Sequence, residues 1–255
     1  MPITEVFPNP IVKEVHFKVH FPRLFFIDKL VGDFQFRIMK EFPRSKEILR
    51  RQVLIADLGS EVKVEELPSI PSAEPIIRIW RFESETGVSV NLESGALGIH
   101  STRHKTYANP EGNELFRDVV QNVIGSFLDI AHIPMFSRIG LRYVDECPLP
   151  EISDSLFSDY FNTTFPLDRY SVRDAESMQF FTVVRRGQYK LRFVEMLNIN
   201  NNNLSVILDF DGFAQDIESS SYLSVTNDLH DMISQEFEHS IKAPVFEYMQ
   251  RQKEE

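Results

Sequence analysis

One cysteine and one tryptophan in 255 residues are what this sequence conspicuously lacks. The lone Cys147 excludes an internal disulfide and any multi-cysteine metal cluster, which points to a reducing compartment. It stands before Pro148 with no histidine nearby in sequence, which argues against a nucleophile. Cations are also short: Lys+Arg 27 against Asp+Glu 38 leave a net charge of -11. That balance repels phosphate backbones at long range and disfavours non-specific nucleic-acid binding, though not a local basic groove. No apolar run approaches the roughly 18 residues a membrane span needs. The opening "MPITEVFPNP" has neither the basic nor the apolar region of a signal peptide. A soluble, cytoplasmic protein that uses no membrane is expected. Missing too are H-E-x-x-H, the Walker loop, G-x-G-x-x-G and G-x-S-x-G, which removes the common catalytic motifs. No cofactor is expected.

Phenylalanine is what is abundant, 22 Phe against 7 Tyr. That excess points to a thick aromatic core between helices and a sheet; an apolar ligand pocket is the alternative. The strand "IVKEVHFKVHF" alternates, with Val15, Phe17, Val19 and Phe21 on one face and Glu14, His16, Lys18 and His20 on the other. "PRLFFIDKLVGDFQFRIMKEF" reads as a helix between Pro22 and Pro43, with Phe26, Leu30, Phe34 and Ile38 as its apolar positions. A strand "QVLIADL" and a proline-rich loop "EELPSIPSAEP" follow. The turns "ETG" and "ESG" then punctuate a meander of "PIIRIWRFES", "GVSVNLES" and "GALGIHST". The segment 109–130 is the clearest helix, with Leu115, Phe116, Val119, Val120, Val123, Ile124, Phe127 and Leu128 in one stripe.

The strand 136–146 opens a second half with the same order of elements. A short helix or loop precedes "MQFFTVVRR", "YKLRFVEMLNI" and "LSVILDFD". A last helix then carries Leu229, Ile233, Phe237 and Ile241 before Pro244 ends it, and "MQRQKEE" reads as a solvated tail. The expected fold is therefore α+β: two similarly built strand–helix–meander–helix halves, 1–131 and 132–255, in one compact unit, with antiparallel sheet covered by helices.

The stretch "FSRIGLRYVDECPLP" holds the densest candidate chemistry. Arg138, Gly140 and Arg142 share one strand face, and Ile139, Leu141 and Tyr143 share the other. Two arginines about 13 Å apart by strand rise can clamp an anion, or each can pair with an acid on a neighbouring strand. Asp209 and Asp211, on one face of "LDFD", are the obvious acids, and the preferred expectation is a ladder joining them to Arg138 and Arg142. Paired carboxylates can also hold a divalent cation or share a catalytic proton. The seven histidines resist a metal reading. His16 and His20 lie about 13 Å apart along a strand, while His100 and His104 stand beside Arg103 and Lys105 in a basic spot. His230 has no ligand one turn on. The candidate ligand-binding residues are thus Arg138, Arg142, Tyr143, Asp145, Asp209 and Asp211, with none assigned as catalytic or metal-ligating.

With the strand "NPIVKEVHFKVHF", the box "SRIGLRYVDE", the strand "VILDFD" and the helix "LHDMISQEFEHSI", the chain resembles an uncharacterised, sporadically distributed prokaryotic family. Its box reads R-x-G-L-R-Y-x-N/D, and Asp145 stands where Asn is typical. The resemblance implies no established activity; patchy occurrence implies mobile genes, as in defence or toxin–antitoxin loci. Three functions are carried forward. The first is a non-enzymatic interaction protein binding a partner encoded nearby. The second is a sensor of a small anion such as a nucleotide through Arg138 and Arg142. The third is a metal-dependent hydrolase built on Asp209 and Asp211.

Overall fold

The computed structural model describes residues 7–51, 76–107, 115–149, 155–162, 169, 171–175, 177–200 and 203–251. Among these, nine strands form one antiparallel sheet accompanied by five α-helices, an α+β architecture. In chain order they are β1 Val12–His20, α1 Ile27–Ile38, β2 Arg44–Arg51, β3 Ile76–Glu83, β4 Val88–Glu93, β5 Ala96–Ser101 and α2 Phe116–Ala131. There follow β6 Met135–Leu149, α3 Leu156–Tyr160, β7 Met178–Arg186, β8 Tyr189–Asn200, β9 Asn203–Glu218, α4 Tyr222–Ser240 and α5 Ala243–Gln250. The sheet order is β2-β3-β4-β5-β1-β6-β9-β8-β7. The strand "QVLIADL" and the loop 65–75 expected from the sequence lie outside the described residues.

Period-two alternation sorts the strands onto two faces. Val15, Phe17 and Val19 of β1, Ile139, Leu141 and Tyr143 of β6, and Leu208 and Phe210 of β9 are all buried. They join residues of α1, α2 and α4 in one hydrophobic cluster. Phenylalanines tie its layers together: Phe34 of α1 packs edge-on against Phe82 of β3 at 5.6 Å and Phe127 of α2 at 5.5 Å. Much of the excess of Phe is therefore core, although Phe25, Phe26, Phe36 and Phe181 are exposed. Opposite these residues, His16, Lys18, Arg138, Arg142 and Asp211 are only half-buried, on a face that no described helix covers.

Helix α1 is shorter than the two prolines suggest, and its buried positions are Ile27, Phe34 and Ile38. Phe26 is its exposed N-cap; three-and-four spacing, not a strict step of four, sets the buried stripe. Pro244 does follow the end of α4, but it lies in the first turn of α5. Proline is tolerated there because its missing N–H has no partner in a first turn. The first two residues of what reads as a tail, Met249 and Gln250, thus close a helix whose Val245 and Met249 are buried.

Candidate functional site

The central box divides between the two faces of the sheet. On the uncovered face, the antiparallel register sets Arg142 opposite Asp211 and Gly140 opposite Phe213. The long arginine side chains reach diagonally, so Arg142 donates Nε and Nη2 to the two oxygens of Asp209 at 2.6 and 2.9 Å. Arg138 donates Nη2 to Asp211 at 2.9 Å. Arg192 of β8 supplies a third cation, its Nη1 donating to Asp209 Oδ2 at 3.0 Å. The Arg138 guanidinium also lies 4.2 Å from the centre of the Phe213 ring, a cation–π distance. Burial pushes the Asp211 carboxyl up, and Arg138 pulls only partly against it. Beside this ladder, His16, Lys18, His20, Arg138, Gly140, Arg142 and Asp211 line a depression of about 270 Å³.

Tyr143 and Asp145 belong to the other face. They line a cavity of about 70 Å³ between β6 and α4, closed by the leading segment at Phe7–Val12, by Met249 of α5 and by Lys105 and Thr106. Hydrogen bonds hold that lid in place. The Asn9 side chain donates to the carbonyls of Tyr248 and Arg251, and the Asn9 backbone N–H donates to Met249 O. The Glu146 N–H donates to Ile11 O, and Lys105 Nζ donates to Val12 O at 2.6 Å. The walls are mostly apolar, with Ile233 and Phe237 from α4 and Ile11 and Val12 from the lead.

The polar groups in that cavity carry perturbed acidities. Asp145 is 2% exposed, and its Oδ1 has no hydrogen-bond partner in the structure. Burial, and secondarily the Asp209 charge across the strand, raise its pKa to about 7 against a slight opposing pull from Lys105. Thr106 Oγ1 is also buried and unpartnered. Burial lowers His230 to about 4, so its imidazole is neutral, and its Nδ1 shares a hydrogen bond with the Tyr143 hydroxyl 3.1 Å away. Its Nε2 then faces Ser234 Oγ at 3.5 Å, and Tyr107 lies against the ring at 4.7 Å between centroids.

The structure therefore brings Arg138, Arg142, Asp209 and Asp211 together, places Tyr143 and Asp145 together elsewhere, and joins no residue of one set to the other through a shared pocket. Sequence reasoning missed Arg192 and Thr106, and it weighed His230 and Lys105 only in setting aside a metal site. Strand parity from Asp211 could have flagged Arg192 only once the β8–β9 register was known. His230 comes from a helix 87 positions away from Tyr143 and leaves no local signal. His100 lies opposite His16 in the β1–β5 ladder, and its Nε2 is 3.5 Å from Glu14 Oε2.

Comparison with protein-family models, with curated proteins and with solved structures found no match for the chain. The functional reading rests on the geometry.

Proposed function

We propose that the chain is a non-enzymatic binding protein whose ligand is a small apolar molecule, or the end of a larger one, carrying an N–H donor that sits on Asp145. The observation that carries this reading is the Asp145 carboxyl, almost wholly buried in a mainly apolar cavity with one oxygen unpartnered. A buried polar atom without a partner is rare, and leaving it so costs on the order of 1–3 kcal/mol. A concave apolar site with a few convergent polar groups and a displaced pKa is the usual form of a ligand pocket. The volume restricts the occupant to a few heavy atoms, since a cavity of about 150 Å³ is what benzene fills. A single trapped water is the competing occupant.

Thermal melts with a panel of short alkylamines and primary amides separate these two. The expected outcome is that at least one compound raises the melting temperature of the wild type but not of Asp145→Leu. If no compound shifts the wild type at millimolar concentration, water or nothing fills the cavity.

A second reading, a partner encoded nearby, draws on the outermost strand. Phe181 and Val183 of β7 are 57% and 50% exposed, and their alternation puts both on the uncovered face. A defence or toxin–antitoxin setting belongs to this reading. Co-purification with the product of an adjacent gene, lost in the double variant Phe181→Ser and Val183→Ser, is its test. An anion sensor at Arg138 and Arg142 has a higher threshold, since the anion must displace Asp209 from a two-pronged contact.

We further propose that residues 1–131 and 132–255 are two similarly built halves. Supporting this, β1 and β6 lie side by side, and each also pairs with the last strand of the meander that follows it, β5 and β9. A long helix, α2 or α4, then closes each series.

A further inference from the structure

On the uncovered face, one strand over from the arginine–aspartate ladder and on the opposite side of the sheet from the Asp145 cavity, three side chains converge. The β1–β5 register sets His16 directly opposite His100, and alternation along β1 puts Glu14 on the same face as His16. Both histidines turn Nε2 towards one carboxylate oxygen: His16 Nε2 is 2.9 Å and His100 Nε2 is 3.5 Å from Glu14 Oε2. The two imidazole centroids are 4.5 Å apart, and the three donor atoms all lie within 4.8 Å of one another. We infer that Glu14, His16 and His100 form a binding site for a zinc-class divalent cation.

The dimensions fit. A tetrahedral zinc centre with bonds of about 2.0–2.1 Å to nitrogen and oxygen has ligand-to-ligand edges of roughly 3.3–3.4 Å. The observed 2.9 and 3.5 Å bracket that value, and the edge between the two histidines is within 4.8 Å. The donor set selects among metals. Two imidazoles and one carboxylate suit zinc, cobalt or nickel, whereas calcium and magnesium require a cage of oxygens. Three protein ligands leave a fourth position for water or an added ligand. The triad is half-buried and reachable from solvent.

The neighbouring cations do not fill the role of the metal. Arg142 faces His16 from β6, but its guanidinium is engaged by Asp209, and Lys18 Nζ is 3.6 Å from Glu93. Their charge is thus largely answered before a divalent ion arrives.

Titration of the tag-free full-length chain with Zn²⁺, followed by calorimetry, and with Co²⁺, followed by its visible absorption, tests the site. The expected result is saturable binding of a single equivalent, with cobalt bands characteristic of nitrogen–oxygen coordination. His16→Ala, His100→Ala and Glu14→Gln are each expected to weaken binding by more than about a hundredfold, beyond the 10–100-fold cost of disturbing an outer-shell group. His20→Ala, on the same strand face, is expected to bind as the wild type does. These positions are half-exposed, so circular dichroism reports whether each variant is folded before its titration is read. No saturable Zn²⁺ binding by the wild type, or binding that survives both His16→Ala and His100→Ala, overturns the inference.

Discussion

Arg142 grips Asp209 with two nitrogens, at 2.6 and 2.9 Å, across the ladder that joins β6 to β9. The contact joins strands 67 positions apart and fixes both side chains in a forked geometry. Yet Arg142 is 40% exposed against 9% for Asp209, and Arg192 also holds Asp209. Arg142→Ala is therefore expected to cost about 1–2 kcal/mol, below the 3–5 kcal/mol of a fully buried pair. Urea unfolding of Arg142→Ala, Asp209→Ala and the double variant should show coupling above about 0.5 kcal/mol. Additive losses would show that the contact carries no energy of its own.

Asp145 gives stability a distinctive pH dependence. Its folded pKa of about 7 lies above the unfolded carboxylate value of 3.8. The folded state then holds the proton more tightly, so this group's contribution is full below about pH 4 and is lost as pH rises through 7. Asp145→Asn removes that loss and keeps the shape. The variant is expected to melt higher than the wild type at pH 8, by the equivalent of a few kcal/mol, and close to it at about pH 4. Equal melting of the two proteins across that range would mean the carboxyl is not desolvated as described.

His230 supplies the opposite limb. Its folded pKa of about 4 lies below the ordinary 6.5, so the stability it confers is complete above about 6.5 and falls as pH drops towards 4. Tyr143→Phe leaves the imidazole Nδ1 without its hydrogen-bond partner, and a loss of about 1–3 kcal/mol at pH 7 is expected. The loss should shrink in the double variant Tyr143→Phe and His230→Leu, where no buried ring nitrogen remains. A double variant as unstable as the sum of its parts contradicts that pairing.

Two glycines on neighbouring strands should respond differently to a methyl group. At Gly140 an added Cβ meets Asp211 Oδ1 at 3.5 Å, an ordinary contact, so Gly140→Ala should be neutral or stabilise by up to about 1 kcal/mol. At Gly212 the same atom would stand 2.8 Å from Met232 Cε and 3.2 Å from Ile233 Cδ1 of α4. Gly212→Ala should cost about 1–3 kcal/mol. Denaturant midpoints read the difference directly, and a Gly140→Ala loss as large as that at Gly212 would refute it.

These residues also mark how much of the molecule is legible in its sequence. Alternation in β1 and β6 is local, so the faces of Val15, Phe17, Arg138 and Arg142 follow from residue order alone. The same parity separates Tyr143 and Asp145 from the arginines, but their closeness in one box suggests a single site. Only the helix-covered face shows that they serve a different cavity. What is not local is not legible. The meeting of His16 with His100 depends on a register between strands 84 residues apart, and the meeting of Tyr143 with His230 depends on where α4 settles. Pro244 reads as a stop because its use in a first turn depends on the chain that follows.

The central claim, that Asp145 receives a ligand, is tested most directly by proton linkage. A calorimetric titration of the wild type with the most stabilising amine of the panel, at pH 6 and at pH 8, reads it. Such an amine is cationic at both values and prefers the carboxylate, so with a pKa of about 7 for Asp145 binding should tighten about tenfold between them, with proton release near pH 7. Affinity that is the same at both pH values, or unchanged in Asp145→Asn, would contradict the account.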